Sequence, residues 1–522
     1  MRDRGRILLV DPRYYRWGYS APRSVANFGL LCVATFLQHH GYDVEILDMN
    51  AQDISWWKLP EVLREKKPDV VGVPSSMNCY VPEALFVAGV AKTVNPEVVT
   101  VGGGINFTLN SENILRENPQ LDFIVRGDGE YTILDLVKAL ERGERDFSKI
   151  AGLTWRNGDE VVRNPDRPPI EDLDSLPLPN WDLVDLDHYC VNTFPPRWGK
   201  QVLLTTSRGC PYRCRYCAPS LAAQKYRELS AERALEMIRI LRRKYDRRMI
   251  WINDLVFGVN EERTEKLLEG IVREDLGINI CVDMTPALVV KRRRLLPLMR
   301  RAGVRIVMIG VESPNEEDHE IYGDGNKGFR VAEEAVKLLR KNKILPGCYF
   351  MIGELHHTPE KIRRIREYAE KLNPVAAYFC FVAPHPGTPY YEEVKEHLAT
   401  HDLSRYGEDE PVLKYPHFTD NEIRMIYREV WISFYAKPTR LLRGLLFGSE
   451  LERWFYRKLA FERQWHWELE KIWRMHGWEG FGPERKKLKK WARKALGLET
   501  PMGRLEEALK GFLKLLGKIE EG

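Results

Sequence analysis

Apolar and polar positions alternate in blocks from the start of the chain. Ile7-Leu8-Leu9-Val10 is a short β-rich run that ends in the turn signal Asp11-Pro12. Helical spacing follows over residues 29–40, and strand character returns over 42–48. The same pair of patterns repeats: Val70-Val71-Gly72-Val73, a helix over 82–94, Val98-Val99-Thr100-Val101, Phe123-Ile124-Val125, and a helix over 132–140. Strands alternating with helices predict a parallel, doubly wound α/β sheet, whose ligands bind beyond the carboxyl ends of its strands. Those ends carry Ser75-Ser76-Met77-Asn78-Cys79, Gly102-Gly103-Gly104 and Arg126-Gly127-Asp128-Gly129-Glu130. Small residues there let backbone amides approach a bulky ligand. A triple glycine taken alone also fits an ordinary turn.

Residues 146–195 read as a connector. A small hairpin over 150–156 and 160–164 turns at Asn157-Gly158-Asp159, and a proline-rich stretch over 165–179 follows. From 201 to about 401 the alternation resumes, with strands over 202–204, 249–254, 278–283, 306–313, 347–352 and 376–382. Six β/α units predict a partial barrel with its reactive groups at the carboxyl ends of the strands, where Asp254, Glu312 and Glu354 stand. Past about residue 405 the pattern turns helical. Residues 437–522 hold 20 Lys and Arg against 12 Glu, together with six tryptophans. The first expectation for this tail is a helical cap, or lid, over the barrel mouth. A membrane-surface contact or a groove for an extended partner is the alternative. The expected domains are 1–145, 146–195, 196–405 and 406–522.

Composition narrows the class. A chain of 522 residues has length for about three domains, and 44% apolar content supports real cores. The net charge of +5 is spread over 30% charged residues and gives no nucleic-acid signal. Nine cysteines in this length are not a disulfide scaffold. The absence of a secretory signal pattern and of any 18-residue apolar run predicts a cytoplasmic protein without a transmembrane segment.

The chemistry concentrates in Cys210-Pro211-Tyr212-Arg213-Cys214-Arg215-Tyr216-Cys217, directly after the apolar run Val202-Leu203-Leu204. Thiolates hold iron–sulfur clusters, usually through four cysteines. Three at this spacing leave one iron of a [4Fe–4S] cube open to a small chelating molecule. A zinc knuckle or three unrelated buried thiols are the other readings, but zinc prefers four ligands in paired spacing and the nearest histidines, His188 and His319, are not at ligand spacing. The loop, with Tyr216 before its third cysteine, closely resembles the radical S-adenosylmethionine (SAM) superfamily. That resemblance implies SAM on the open iron. It also implies contacts from the Asn253–Asp254 region to the SAM amino group, from Glu312 to its polar groups, and from Lys327 in Gly325-Asn326-Lys327-Gly328 to its carboxylate.

In series, the marks of the first 145 residues resemble the cobalamin-binding domain that precedes the radical domain in one large class of these enzymes. These marks are the Asp-Pro strand end, Gly72 to Ser75, the Gly-Gly strand end and the acidic turn ending in Glu130. The expected fold is therefore α/β: a Rossmann-like cobalamin domain, a partial (β/α)6 TIM-type radical SAM barrel and a helical C-terminal domain. One departure stands out. The loop Asp11-Pro12-Arg13-Tyr14-Tyr15-Arg16-Trp17-Gly18 lacks the cobalt-ligating histidine of methionine-synthase-type domains. The lower face of cobalamin is then expected to pack on side chains such as Tyr14, Tyr15, Met77 and Asn78, with Ser75, Ser76, Gly102, Gly103, Gly104, Gly127 and Glu130 around it. Phe434-Tyr435-Ala436-Lys437-Pro438 resembles an element of the magnesium-protoporphyrin cyclase-like branch, with Lys437 where that element has arginine. The resemblance implies a methyltransferase acting on an unactivated carbon, with an electron donor of flavodoxin or ferredoxin type. The first substrate expectation is a protein side chain, such as the glutamine of methyl-coenzyme M reductase, with a lipid or tetrapyrrole next. A cobalamin-using oxidoreductase or cyclase is the alternative reaction.

Overall fold

The computed structural model describes residues 5–13, 26–75, 78–189, 194–318, 322, 329–435, 437–461, 490 and 494. The first sheet grows outward from β1 (Arg6–Asp11), which pairs in parallel with β2 (Asp43–Asp48) on one side and β3 (Val70–Pro74) on the other. β4 (Val99–Gly103) and β5 (Phe123–Val125) extend it in parallel. The hairpin expected in the connector, β6 (Leu153–Asn157) and β7 (Glu160–Arg163), adds two antiparallel strands beyond β5. The order is β2-β1-β3-β4-β5-β6-β7, so the chain reverses its direction of growth between β1 and β3. A ligand crevice is expected at that reversal, beyond the carboxyl ends. Leu8, Val10, Val71 and Val73 feed one core and Ile7, Leu9 and Val70 the other, which is why these strands read as continuous apolar runs.

The second sheet follows β8 (Lys200–Leu204). A two-stranded antiparallel pair, β9 (Ser207–Arg208) and β10 (Arg227–Glu228), precedes β11 (Arg247–Ile252), β12 (Asn279–Met284), β13 (Val304–Glu312), β14 (Leu345–Ile352) and β15 (Ala376–Phe381). Six strands run parallel in the order β15-β14-β13-β12-β11-β8, the expected partial barrel. Alternation decides its faces. Ile250, Val282, Ile309, Phe350 and Phe379 are fully buried against the surrounding helices, while Trp251, Asp283, Met308 and Tyr349 occupy the inner face. The free edge at β15 is closed by helix Asp420–Tyr435. The Tyr435 hydroxyl accepts from the Ala377 N–H and donates to its carbonyl (2.8 Å each), and the Tyr427 hydroxyl donates to the Phe379 carbonyl (2.8 Å). Unpaired strand edges invite association, and these side chains cover this one.

The described part of the tail departs from expectation. In helix Glu450–Phe461, Leu451 and Trp454 pack with Trp198, Met249, Ile306 and Val375, residues at or just before the amino ends of the barrel strands. The Trp198 indole N–H also donates to Glu450 (3.1 Å). This helix therefore forms the floor of the barrel and is not a lid over its mouth. The physical reason is that the inner positions at the amino ends are apolar and need an apolar plug, whereas the carboxyl ends are polar. Trp465, Trp467, Trp473, Trp478 and Trp491 lie outside the described residues. No helix among the described residues is long and apolar enough to cross a membrane.

Candidate active site

The turn from β8 into the cysteine loop is built on Asp254, just past β11. Its carboxylate accepts from the Thr206 N–H (2.6 Å), the Thr206 hydroxyl (2.6 Å) and the Ser207 N–H (2.8 Å), and the residue is 2% exposed. Burial raises its pKa against the pull of these donors. Gly209 follows with φ +81°, where a Cβ would collide with the Lys225 carbonyl, so the chain passes here only as glycine. The Cys217 N–H then bonds the Cys214 carbonyl (3.1 Å) as the loop enters helix Ala218–Ala222. All three cysteines are partly exposed. Burial pushes the Cys214 thiol up to about 12, and the nearby Cys217, Glu312 and Cys210 add to it. The three thiols are thus near enough to feel one another's charge, with Glu312 beside them.

Glu312 ends β13 in a strained way. The β13–β14 register slips between Gly310 and Glu312, and Glu312 has φ +61°. Bulges of this kind re-aim a side chain, and left-handed non-glycine residues concentrate at functional sites. The carboxyl group folds back over Gly310, where any Cβ would strike it. Burial pushes Glu312 up to about 8, the charge of Glu408 adds to this, and a hydrogen bond with Tyr216 opposes it. The Tyr216 ring meets Tyr322 edge-on at 5.6 Å. Asn253 bonds the Leu204 carbonyl through its N–H (2.8 Å) and leaves its side chain exposed at the mouth.

A cavity of about 580 Å³ lies between the two sheets. One wall is the carboxyl edge of the first sheet, with Gly72, Ser75, Gly102, Gly103, Gly104 and Gly127, and the other is Thr205, Thr206, Arg208 and Asn253. Gly104 has φ +106°, and a Cβ there would come within 2.6 Å of the Ser75 carbonyl oxygen, so this strand end is a cradle that side chains would fill. Ser75 and Asn106 lie at 3.4 Å through Asn106 Nδ2 and the Ser75 hydroxyl. The walls are tied together by charge. Arg208, two residues before Cys210, donates to Asp128 Oδ1 (3.0 Å) and Glu130 Oε2 (3.2 Å), and Arg227, its β10 partner, pairs with Asp128. Although burial raises the Asp128 carboxyl, Arg208 and Arg227 hold it below the usual carboxylate range.

Of the residues predicted from sequence, Cys210, Cys214, Cys217, Tyr216 and Glu312 come together, and Ser75, the three glycines, Gly127, Glu130 and Asn253 line the cavity. Two acids have their carboxylates already engaged: Asp254 by Thr206 and Ser207, and Glu130 by Arg208. Asn78 opens the short helical turn Asn78–Tyr80, while Tyr14, Tyr15, Ser76, Met77 and Lys327 lie outside the described residues. Sequence reasoning missed Arg208, Asp283 and a trio of Asp318 with two histidines, of which His356 is partly exposed. In that trio Asp318 meets His356 Nε2 at 2.6 Å and His357 Nε2 at 3.0 Å, all within metal-ligand reach of one another. The Gly353 N–H, however, points at His357 Nδ1 (3.2 Å), which assigns the proton of His357 to Nε2 as a donor to Asp318. That tautomer is a structural Asp–His hydrogen bond and not a ligand set. The adjacent histidines were visible in the sequence, but Asp318 is 38 residues from His356.

Residues 204–369 match the radical SAM superfamily and residues 20–137 match the B12 binding domain. The chain is 31% identical over 420 residues to an uncharacterized methyltransferase of Pyrococcus horikoshii, covering 80% of this chain and 89% of that protein. It is 27% identical over 415 residues to the anaerobic magnesium-protoporphyrin IX monomethyl ester cyclase of Rubrivivax gelatinosus, covering 78% and 73%. Its fold is that of the radical SAM methyltransferase TsrM of Kitasatospora setae (TM-score 0.66, 18% identity, 94% and 99% covered) and of the cobalamin-dependent radical enzyme OxsB (0.71, 17%, 99% and 82%). Three neighbouring thiols suit a cluster with one open iron, and a glycine-lined cavity at the sheet's reversal point suits a large flat cofactor. A [4Fe–4S] cluster, SAM and cobalamin are accordingly the cofactors of this enzyme. The chain belongs to the cobalamin-binding radical SAM enzymes, the family of methyltransferases and magnesium-protoporphyrin cyclase-like proteins.

Proposed function

We propose that this enzyme transfers a methyl group to an unactivated carbon. The observation that carries the reading is the shared wall: Thr205, Thr206 and Arg208, from the segment that leads into Cys210, line the cavity of the B12-binding domain. A methyl carrier in that cavity and a radical source on the cysteine loop would face the same space. Bound there, the cluster with SAM supplies a hydrogen-abstracting radical and cobalamin supplies the methyl group.

The chain's own part is to hold and insulate. Cys210, Cys214 and Cys217 would ligate three irons. Glu312, aimed by its bulge, and Asn253 would take the polar groups of SAM, with Tyr216 orienting Glu312 and Lys327 reserved for the SAM carboxylate. Asp254 would act through the Thr206–Ser207 turn and not by contact. Ser75, Gly102, Gly103, Gly104 and Gly127 would cradle cobalamin, with Tyr14, Tyr15, Ser76, Met77 and Asn78 toward its lower face. Glu130 would contribute by fixing Arg208. A closed floor and covered edge keep water from reactive species. A flavodoxin- or ferredoxin-type donor would deliver the electron.

Protein side chains, including the glutamine of methyl-coenzyme M reductase, are the first substrates to test, and lipids or tetrapyrroles the second. The likeness to the Rubrivivax cyclase supports a second reading, oxidation or ring closure without methyl transfer. Product mass separates the two readings. Gain of one methylene unit supports methylation, whereas loss of hydrogen or gain of oxygen supports the second.

A further inference from the structure

Above its apolar floor, the inner face of the barrel carries a carboxylate that neither cofactor site uses. Asp283 lies one residue from the end of β12. Its Oδ2 accepts from the Trp251 indole N–H (2.9 Å) and its Oδ1 from the Tyr349 hydroxyl (3.3 Å). Tyr349 reaches it from β14 across β13, where its register partner is Gly310, which has no side chain and lies beneath the Glu312 carboxyl. The Tyr349 ring lies 5.6 Å from that of Tyr378 on β15, and Tyr378 is 43% exposed although its strand neighbours Ala377 and Phe379 are fully buried. Solvent therefore reaches the inner face at Tyr378.

Two donors fix the plane of the carboxylate and leave each oxygen a further lone pair for a ligand. Among the described residues no lysine, arginine or histidine pairs with Asp283. Burial pushes its pKa up to about 6, against the hydrogen bonds from Trp251 and Tyr349. Three aromatic rings beside a carboxylate with no cationic partner among the described residues form the recognition chemistry of a cation: the rings attract positive charge through their faces, and the carboxylate accepts charge-assisted hydrogen bonds. Resting on the functional reading above, we propose that the substrate enters the barrel by a cationic nitrogen group, an ammonium or a guanidinium, which Asp283 receives between Trp251, Tyr349 and Tyr378.

The test is saturation-transfer NMR on the anaerobically reconstituted full chain with SAM bound. Dissociation constants are measured for butylguanidinium and butylammonium against the uncharged, size-matched butylurea and pentanol. At least one cation should bind at least fivefold more tightly than its neutral counterpart. Asp283→Asn should reduce that ratio toward one, and Tyr349→Phe, which removes one orienting donor, should reduce it partly. A wild-type ratio below fivefold overturns the proposal, as does a ratio that survives in Asp283→Asn. A preference seen without SAM that vanishes on adding it assigns Asp283 to the ammonium of SAM and also overturns it. Formation of 5′-deoxyadenosine by the same wild-type preparation under reductant reports the functional reading separately. A charge-blind barrel in protein that cleaves SAM removes this proposal alone.

Discussion

Arg208 is the residue whose loss has the most calculable consequence. It bridges Asp128 and Glu130 at the start of helix Gly129–Glu141 to the strand entering the cysteine loop. In Arg208→Met, Asp128 keeps Arg227, but Glu130, 3% exposed, loses the one cation it is paired with among the described residues. Breaking a buried pair on one side costs about 3–5 kcal/mol. Because the Arg208 side chain is itself 24% exposed, the lower figure of about 3 kcal/mol is expected at pH 7. Opening of the contact between the two sheets should then become about a hundredfold more frequent at pH 7. Hydrogen exchange by mass spectrometry, on peptides covering 126–133 and 204–230, reads this directly in the intact protein. The double variant with Glu130→Gln should recover most of the loss. An effect below threefold at pH 7, or an undiminished effect in the double variant, would refute the claim that a buried ion pair joins these walls.

Three further outcomes are expected. Cys214→Ala should lose the cluster absorbance and 5′-deoxyadenosine formation while still binding cobalamin, and retained SAM cleavage would contradict the cluster assignment. Gly104→Ala, forced to φ +106° and into the Ser75 carbonyl, should cost about 1–3 kcal/mol and weaken cobalamin retention with the cluster intact, as followed by absorbance after gel filtration. Glu354 is 1% exposed, and burial pushes it up to about 7 against the hydrogen bond from Tyr390 (2.8 Å). The folded state therefore holds its proton more tightly than the unfolded state. Wild-type stability should fall, relative to Glu354→Gln, as pH rises from the ordinary glutamate range to about 7, leaving the variant ahead by up to about 3 kcal/mol above that. Thermal unfolding of both proteins across pH 5–8 checks the sign, and a constant difference would contradict it.

The alternation of strands and helices made both sheets legible, because buried parallel strands leave continuous apolar runs. The three cysteines and the strand-end position of Glu312 were legible for the same local reason: spacing and strand periodicity are properties of neighbouring residues. What stayed hidden depends on distant ones. The hairpin at 153–163 read as part of a connector because its pairing with β5 is not written in its own sequence. Arg208 gave no signal, since its partners lie 78 and 80 residues away. Asp254 and Glu130 stood at the right strand and helix ends, but only the folded chain reveals that their oxygens are taken by Thr206, Ser207 and Arg208. The floor helix was misjudged because a tryptophan-rich segment fits either end of a barrel. The apolar side chains of Met249 and Ile306 decide which end needs it.

The central claim, that cobalamin in the cavity and SAM on the cysteine loop work as one methyl-transfer unit, is tested most directly in the reconstituted enzyme. The protein is loaded anaerobically with iron, sulfide and cobalamin and given SAM and reductant. Methylcobalamin, S-adenosylhomocysteine and 5′-deoxyadenosine are then quantified by mass spectrometry. All three should form. Formation of 5′-deoxyadenosine alone would contradict the claim and make cobalamin something other than a methyl carrier in this enzyme.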